Sequence, residues 1–202
     1  ISLNIQSGEL VVVMGRTGSG KSVLCYAMNG LVPQFVQGIF QGSIMVNGCS
    51  TTKTPVWEQA NRVGIVFQDF EAQLVSTNVE NELRYALESQ EGLNRELDEA
   101  SIRQHIKRVL ELVGLAGLER HDPFSLSGGQ RQRLVVASVL VREPDVLVMD
   151  QPLTDLDPAG RQVFIELLKT LKSKGITVLL VEHIVDCLLY TSPSPRDLST
   201  SR

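Results

Sequence analysis

Leu10-Val-Val-Val-Met-Gly-Arg-Thr-Gly-Ser-Gly-Lys-Ser22 is the stretch on which the fold turns. Leu10 to Met14 form a short apolar run, which reads as a buried strand. The run feeds Gly15, Arg16, Thr17, Gly18, Ser19, Gly20, Lys21 and Ser22, which fit the pattern G-x-x-x-x-G-K-[ST]. From Lys21 to Asn29 the chain reads as a helix, and Gly30 suits its C-terminal stop. A strand, a glycine-rich turn and a helix in that order make a site for an anion. The glycines let successive backbone N–H groups turn inward, and the helix N-terminus adds partial positive charge. Lys21 is placed to reach the β- and γ-phosphates of a nucleotide, and Ser22 to ligate Mg2+.

Further along, the same alternation continues. Ser43 to Val46 read as a strand closed by the turn pair Asn47-Gly48. Val63 to Phe67 read as another strand, and so do Val146 to Met149 and Ile176 to Val181. Helices are expected over Gly128 to Arg142 and Ala159 to Lys174. Ile1, Leu3 and Ile5 alternate as a strand would. Asp150 ends its apolar strand at the carboxyl edge of the sheet, the edge where open α/β sheets bind ligands, and is the candidate to hold Mg2+ through water. Residues from about 77 to 125 are charged, helical and free of strand signals, with Ile102, Ile106, Val109, Leu110 and Val113 on one helical face. The expected fold is therefore α/β: a mostly parallel sheet flanked by helices, with an inserted α-helical subdomain.

Bulk properties fit a folded domain of 202 residues, 43% apolar and 21% charged. The net charge of −4 gives no reason to expect nucleic-acid binding. No apolar run reaches the roughly 18 residues of a membrane span. Any membrane contact is thus expected through partners only. The three cysteines, Cys25, Cys49 and Cys187, are far apart and form no zinc or disulfide pattern, which suits a reducing cytoplasmic location.

Leu126-Ser-Gly-Gly-Gln130 decides between the uses of such a fold. Ser127 with Gln130 three residues later is a capping box opening a helix. Gly128 and Gly129 between them leave backbone open to close approach. On those grounds alone it is a well-capped helix. Lying between the phosphate loop and Asp150, it resembles the signature motif of ABC ATPases, a family of P-loop NTPases. The resemblance implies a head-to-tail dimer in which Ser127, Gly128, Gly129 and Gln130 of one subunit close over Mg-ATP held by the other. It implies further roles, each at a position that would otherwise read as an ordinary polar residue. Gln68 matches the glutamine that senses Mg2+ and faces the membrane partner. Asp157, in Leu156-Asp157-Pro158, matches a loop crossing the dimer interface. His183 matches the switch histidine at the γ-phosphate. Asn29 to Phe35, Phe67 to Ser76 and Val79 to Glu82 look like the ATPase subunits of energy-coupling-factor importers. Those pair two ATPases with a transmembrane coupling protein to take up vitamins and transition-metal ions at the cytoplasmic face of a prokaryotic cell membrane.

Two positions depart from the family pattern. Gln151 stands where active members have a Glu that polarises the attacking water. An amide cannot accept that proton, so tight ATP binding with slow hydrolysis is expected at this site. Val23 replaces a frequent Thr and forgoes one phosphate hydrogen bond, worth roughly 0.5–1.5 kcal/mol. The family's adenine-stacking aromatic would lie upstream of Ile1. The resemblance runs from Ile1 to about Asp186. Residues Cys187 to Asp197 resemble the translation of a transposase adapter used in DNA library preparation, so residues 187–202 are expected to be a non-native tail. The sequence thus points to an ABC-type ATPase driving a membrane importer. The alternatives are a hydrolysis-impaired ATP-binding partner in an asymmetric dimer, and an ABC ATPase of a process other than transport.

Overall fold

A computed structural model describes residues 1–89 and 98–183. The expected non-native tail, 187–202, lies outside the described residues. Four strands form one sheet: β1 (Leu10–Met14), β4 (Val63–Val66), β5 (Val146–Asp150) and β6 (Thr177–Glu182). Their order is β1-β6-β5-β4 and every pairing is parallel. Register sets Val13 beside Val181, and Asp150 beside Val181 on the other side. The carboxyl ends of β1, β5 and β6 therefore meet at one edge.

Side-chain alternation along these strands sends residues to two faces. Val63, Ile65, Val148, Leu179 and Val181 pack with Cys25 and Met28 of α1 (Lys21–Asn29). Val66, Leu147, Met149, Val178 and Leu180 pack on the other face, against α6 (Gly128–Leu140) and α7 (Pro158–Ser173). Burial on both faces explains why the strands read as unbroken apolar runs.

Gly64 shows how close one contact is. A Cβ there would lie well inside van der Waals distance of Val139 Cγ1 on α6 and against Pro144. The Val139 side chain would have to turn away or α6 would have to move, because the short, branched valine and the proline ring have little freedom to yield. Gly64→Ala is expected to cost about 1–3 kcal/mol by overpacking, read as a lowered Tm in thermal unfolding. An unchanged Tm would mean that Val139 yields without cost or that α6 stands further from β4.

The helical stretch consists of α4 (Val79–Glu88), α5 (Glu99–Leu112) and a 3-10 turn at Pro123–Ser125. Asn78 and Asp98 cap the two helices, accepting from Asn81 N and Ser101 N. Arg84 of α4 bridges to Glu99 of α5 and also pairs with Glu80 on its own helix. Of the expected apolar face, Ile106, Val109, Leu110 and Val113 are buried and Ile102 partly so, in the same cluster as α6 and α7. The remaining elements are small: α2 (Leu31–Gln34), a hairpin of β2 (Met45–Val46) and β3 (Cys49–Ser50), and α3 (Val56–Gln59).

Two expectations need correction. The strand read as Ser43 to Val46 is only Met45–Val46, because its one partner is the two-residue β3 across Asn47-Gly48. Both turn residues have positive φ, 46° and 79°, which holds the hairpin tight. Ile1, Leu3 and Ile5 form no strand: they pair with no other strand among the described residues, although Leu3 and Ile5 pack beside the α1-side core.

Candidate nucleotide site

The loop from Gly15 to Gly20 turns because its glycines allow it. Gly18 and Gly20 have φ of 78° and 90°, and Gly20 leads straight into α1 with no side-chain cap. Lys21 opens the helix and is 7% exposed. Its Nζ donates to Gly15 O at 2.6 Å and Arg16 O at 2.9 Å, and lies 3.5 Å from Ser19 Oγ. The loop thus curls around the ammonium. Thr17 is exposed, Ser22 half-buried, and Val23 is 54% exposed on the outer side of the first turn.

His183 follows β6 and meets the same loop. Its Nδ1 is 3.1 Å from Gly15 O and 3.3 Å from Lys21 Nζ. With its proton on Nδ1 the ring donates to the carbonyl; without it, the ring accepts from the lysine. Residues 162 positions apart in sequence are brought together here by the pairing of β1 with β6.

Asp150 is 1% exposed, and neither carboxylate oxygen has a hydrogen-bond partner. Its charge is felt one turn into α1. Burial, then Asp150, pushes the Cys25 thiol up to about 12, and the same two causes raise Tyr26. A buried carboxylate with both oxygens free is costly unless a cation matches it. It therefore fits Mg2+, which is commonly held by one or two carboxylates and shared with substrate phosphates.

Gln151 comes next, at φ 55°, a left-handed conformation uncommon for a non-glycine residue. Its N–H donates to Val181 O at 2.8 Å, which aims the turn. Gln151 and Gln68 line one cleft of about 960 Å3, with Tyr26, Asp155, Leu156 and Gly128 on its other walls. The loop carrying Gln68 is pinned at its far end. Gln73 accepts from Phe67 N at 2.8 Å and donates to Ile65 O at 3.1 Å. Glu71 reaches Arg131 of α6 at 3.0 Å.

The structure thus gathers Lys21, Gly15, Arg16 and His183 into one cluster, and Gln68 and Gln151 into one cleft. Gly128 borders that cleft, and Ser127, Gly129 and Gln130 stay beside it at the start of α6. There Ser127 Oγ accepts from Gln130 N, and Gln130 Oε1 accepts from Ser127 N at 2.9 Å, the reciprocal capping box. Asp157 caps α7, accepting from Gly160 N at 2.7 Å, with Pro158 behind it.

Two polar residues at this edge have no counterpart in the sequence reading. Glu182, fully buried, accepts from Leu153 N at 2.7 Å and His183 N at 3.2 Å. Burial nevertheless pushes its carboxyl above the usual range. Gln132, on α6, donates to Pro152 O. Glu182 stands out in sequence as a charge at the end of an apolar run, whereas Gln132 lies in the polar stretch Gln130 to Arg133 and carries no such mark.

The fold and this edge define a nucleotide-binding α/β domain. The family described as ABC transporter matches residues 1–154, and the chain belongs to it as an ABC-type ATPase. Over 184 residues it is 44% identical to an ABC transporter ATP-binding protein of Caldanaerobacter subterraneus, covering 91% of this chain and 32% of that one. It is 37% identical over 188 residues to the energy-coupling factor transporter ATP-binding protein EcfA1 of Thermotoga maritima, covering 93% and 67%. The solved structure of cbiO1 from Clostridium perfringens, part of the ABC transporter complex cbiONQ, superposes with a TM-score of 0.80 at 31% identity, covering 94% and 73%. The chain therefore spans about a third of one curated relative and two thirds of another. Among its described residues no helix is long and apolar enough to cross a membrane.

Proposed function

We propose that this chain is the ATP-driven motor subunit of a membrane importer of the energy-coupling-factor type, working as a dimer at the cytoplasmic face. The observation that carries the reading is the meeting of Lys21, His183 and the Gly15–Gly20 loop beside a buried, unpartnered Asp150. In this reading the loop N–H groups and Lys21 hold the β- and γ-phosphates, and His183 contacts the γ-phosphate. Ser22, Asp150 and Gln68 would hold Mg2+. When bound, Mg2+ supplies positive charge to the phosphate oxygens. Ser127 and Gly128 are exposed and Gly129 and Gln130 half-buried at the N-terminus of α6; in this reading they cover ATP on a second subunit, and Asp157 lies on the same interface. The likeness to EcfA1 and cbiO1 supports the importer class, with a second ATPase and a transmembrane coupling protein as partners. Vitamins or transition-metal ions are the substrates this class takes.

Gln151 favours a second, nested reading. Water polarisation by a carboxylate is lost at this site, so the subunit holds ATP long and turns it over slowly. Its partner's site then does most of the hydrolysis in an asymmetric dimer.

Both readings require association driven by ATP. The full-length protein is mixed with Mg-ATP or Mg-ADP, alone and with any ATPase encoded beside it, and its mass is followed by light scattering. A dimer with ATP and none with ADP is expected. No ATP-dependent change of mass in either mixture would sink the proposal.

A further inference from the structure

Glu182 ends an apolar strand with no solvent exposure, a position at which a carboxylate has to be matched by donors. Its two oxygens have separate tasks. Oε1 accepts from Leu153 N, 29 residues away in the turn that follows Asp150. Oε2 accepts from the N–H of His183, the residue whose ring faces Lys21 and Gly15. The turn from Gln151 to Leu153 is held twice more. Gln151 N donates to Val181 O, and Gln132 of α6 donates to Pro152 O. A line of hydrogen bonds therefore runs from the phosphate loop through His183 and Glu182 to the Gln151 turn, and on to the helix that carries Ser127 to Gln130.

We infer that Glu182 is a positioning residue that holds His183 toward the terminal phosphate and couples it to the Gln151–Leu153 turn. The chemistry calls for a carboxylate. The two N–H donors approach different oxygens, and an amide has one oxygen that accepts and one NH2 that only donates. In Glu182→Gln one of the two N–H groups meets a facing NH2 and is left unpaired. The shape of the side chain stays the same.

This inference rests on the proposal that His183 contacts the γ-phosphate, and ATP and ADP differ by that group. The full-length protein is therefore titrated with trinitrophenyl-ATP, and competition by Mg-ATP and Mg-ADP gives the preference of each variant. In Glu182→Gln the preference for ATP over ADP is expected to fall roughly tenfold, the effect of one misaligned hydrogen bond to a charged group. ADP affinity is expected to stay within about twofold, since Lys21 keeps its bonds to Gly15 O and Arg16 O. His183→Ala should lose the same preference, and adding Glu182→Gln to it should lose no more. An unchanged preference, an equal loss of ATP and ADP binding, or losses that add in the double variant would each overturn the inference. Absence of any ATP preference in the parent protein would instead overturn the placement of His183 at the γ-phosphate.

Discussion

Restoring a carboxylate at one position is expected to raise turnover more than any other single change. In the assembled dimer, Gln151→Glu should increase ATP hydrolysis at this site by about 10²–10⁴-fold, the usual contribution of general-base help. The structure makes the substitution clean. Gln151 is set by its backbone, with φ at 55° and its N–H bonded to Val181 O. Glu meets the same conformational cost as Gln, and no buried partner of the amide has to be replaced. ATP affinity should stay within a few-fold, because the change does not touch Lys21 or the loop. Phosphate release from Mg-ATP, measured for both proteins with the same partner, checks it. Equal rates would show that the attacking water is activated elsewhere.

The largest loss is expected from Lys21→Ala. The ammonium is nearly buried and holds the loop from inside through Gly15 O and Arg16 O. In the proposed complex it also faces two phosphates. Hydrogen bonds from a charged donor contribute roughly 1.5–3 kcal/mol each. Removing the group should therefore weaken ATP binding by roughly 10²-fold or more. Titration with trinitrophenyl-ATP reads this directly, with circular dichroism showing that α1 remains folded. An affinity within threefold of the parent would move the nucleotide away from this loop.

The parts of the fold visible in sequence were those whose signal is local. Val146 to Met149 is an unbroken apolar run because both of its faces are covered, and Leu10 to Val13, on the end strand, are half-buried toward both. Ser127 and Gln130 announce a helix start three residues apart, and the reciprocal capping box is present. The α1 stop at Gly30 appears as a left-handed residue, φ 86°. The parts that stayed hidden depend on distant backbone. Glu182 and Gln132 bond to Leu153 N and Pro152 O, groups that every residue carries and no pattern marks. The free state of both Asp150 oxygens is likewise a property of its surroundings, not of the residue. Ile1, Leu3 and Ile5 misled for the converse reason: alternation shows that a segment could pair, and pairing needs a second strand in reach.

The apolar cluster that joins α4 and α5 to α6, α7 and the sheet has a mechanical consequence. Leu83, Ile106 and Leu110 share one dry interior with Leu134, Phe164 and Leu180. The inserted helices thus have no separate interior to fall back on if they part from the rest. A close-packed interior transmits strain and resists being opened. Movement of the Ser127 end of α6 relative to the Gly15–Gly20 loop is then expected to be a small tilt about standing contacts. Packed in this way, the domain is built as one stiff plate, not as two bodies on a loose tether.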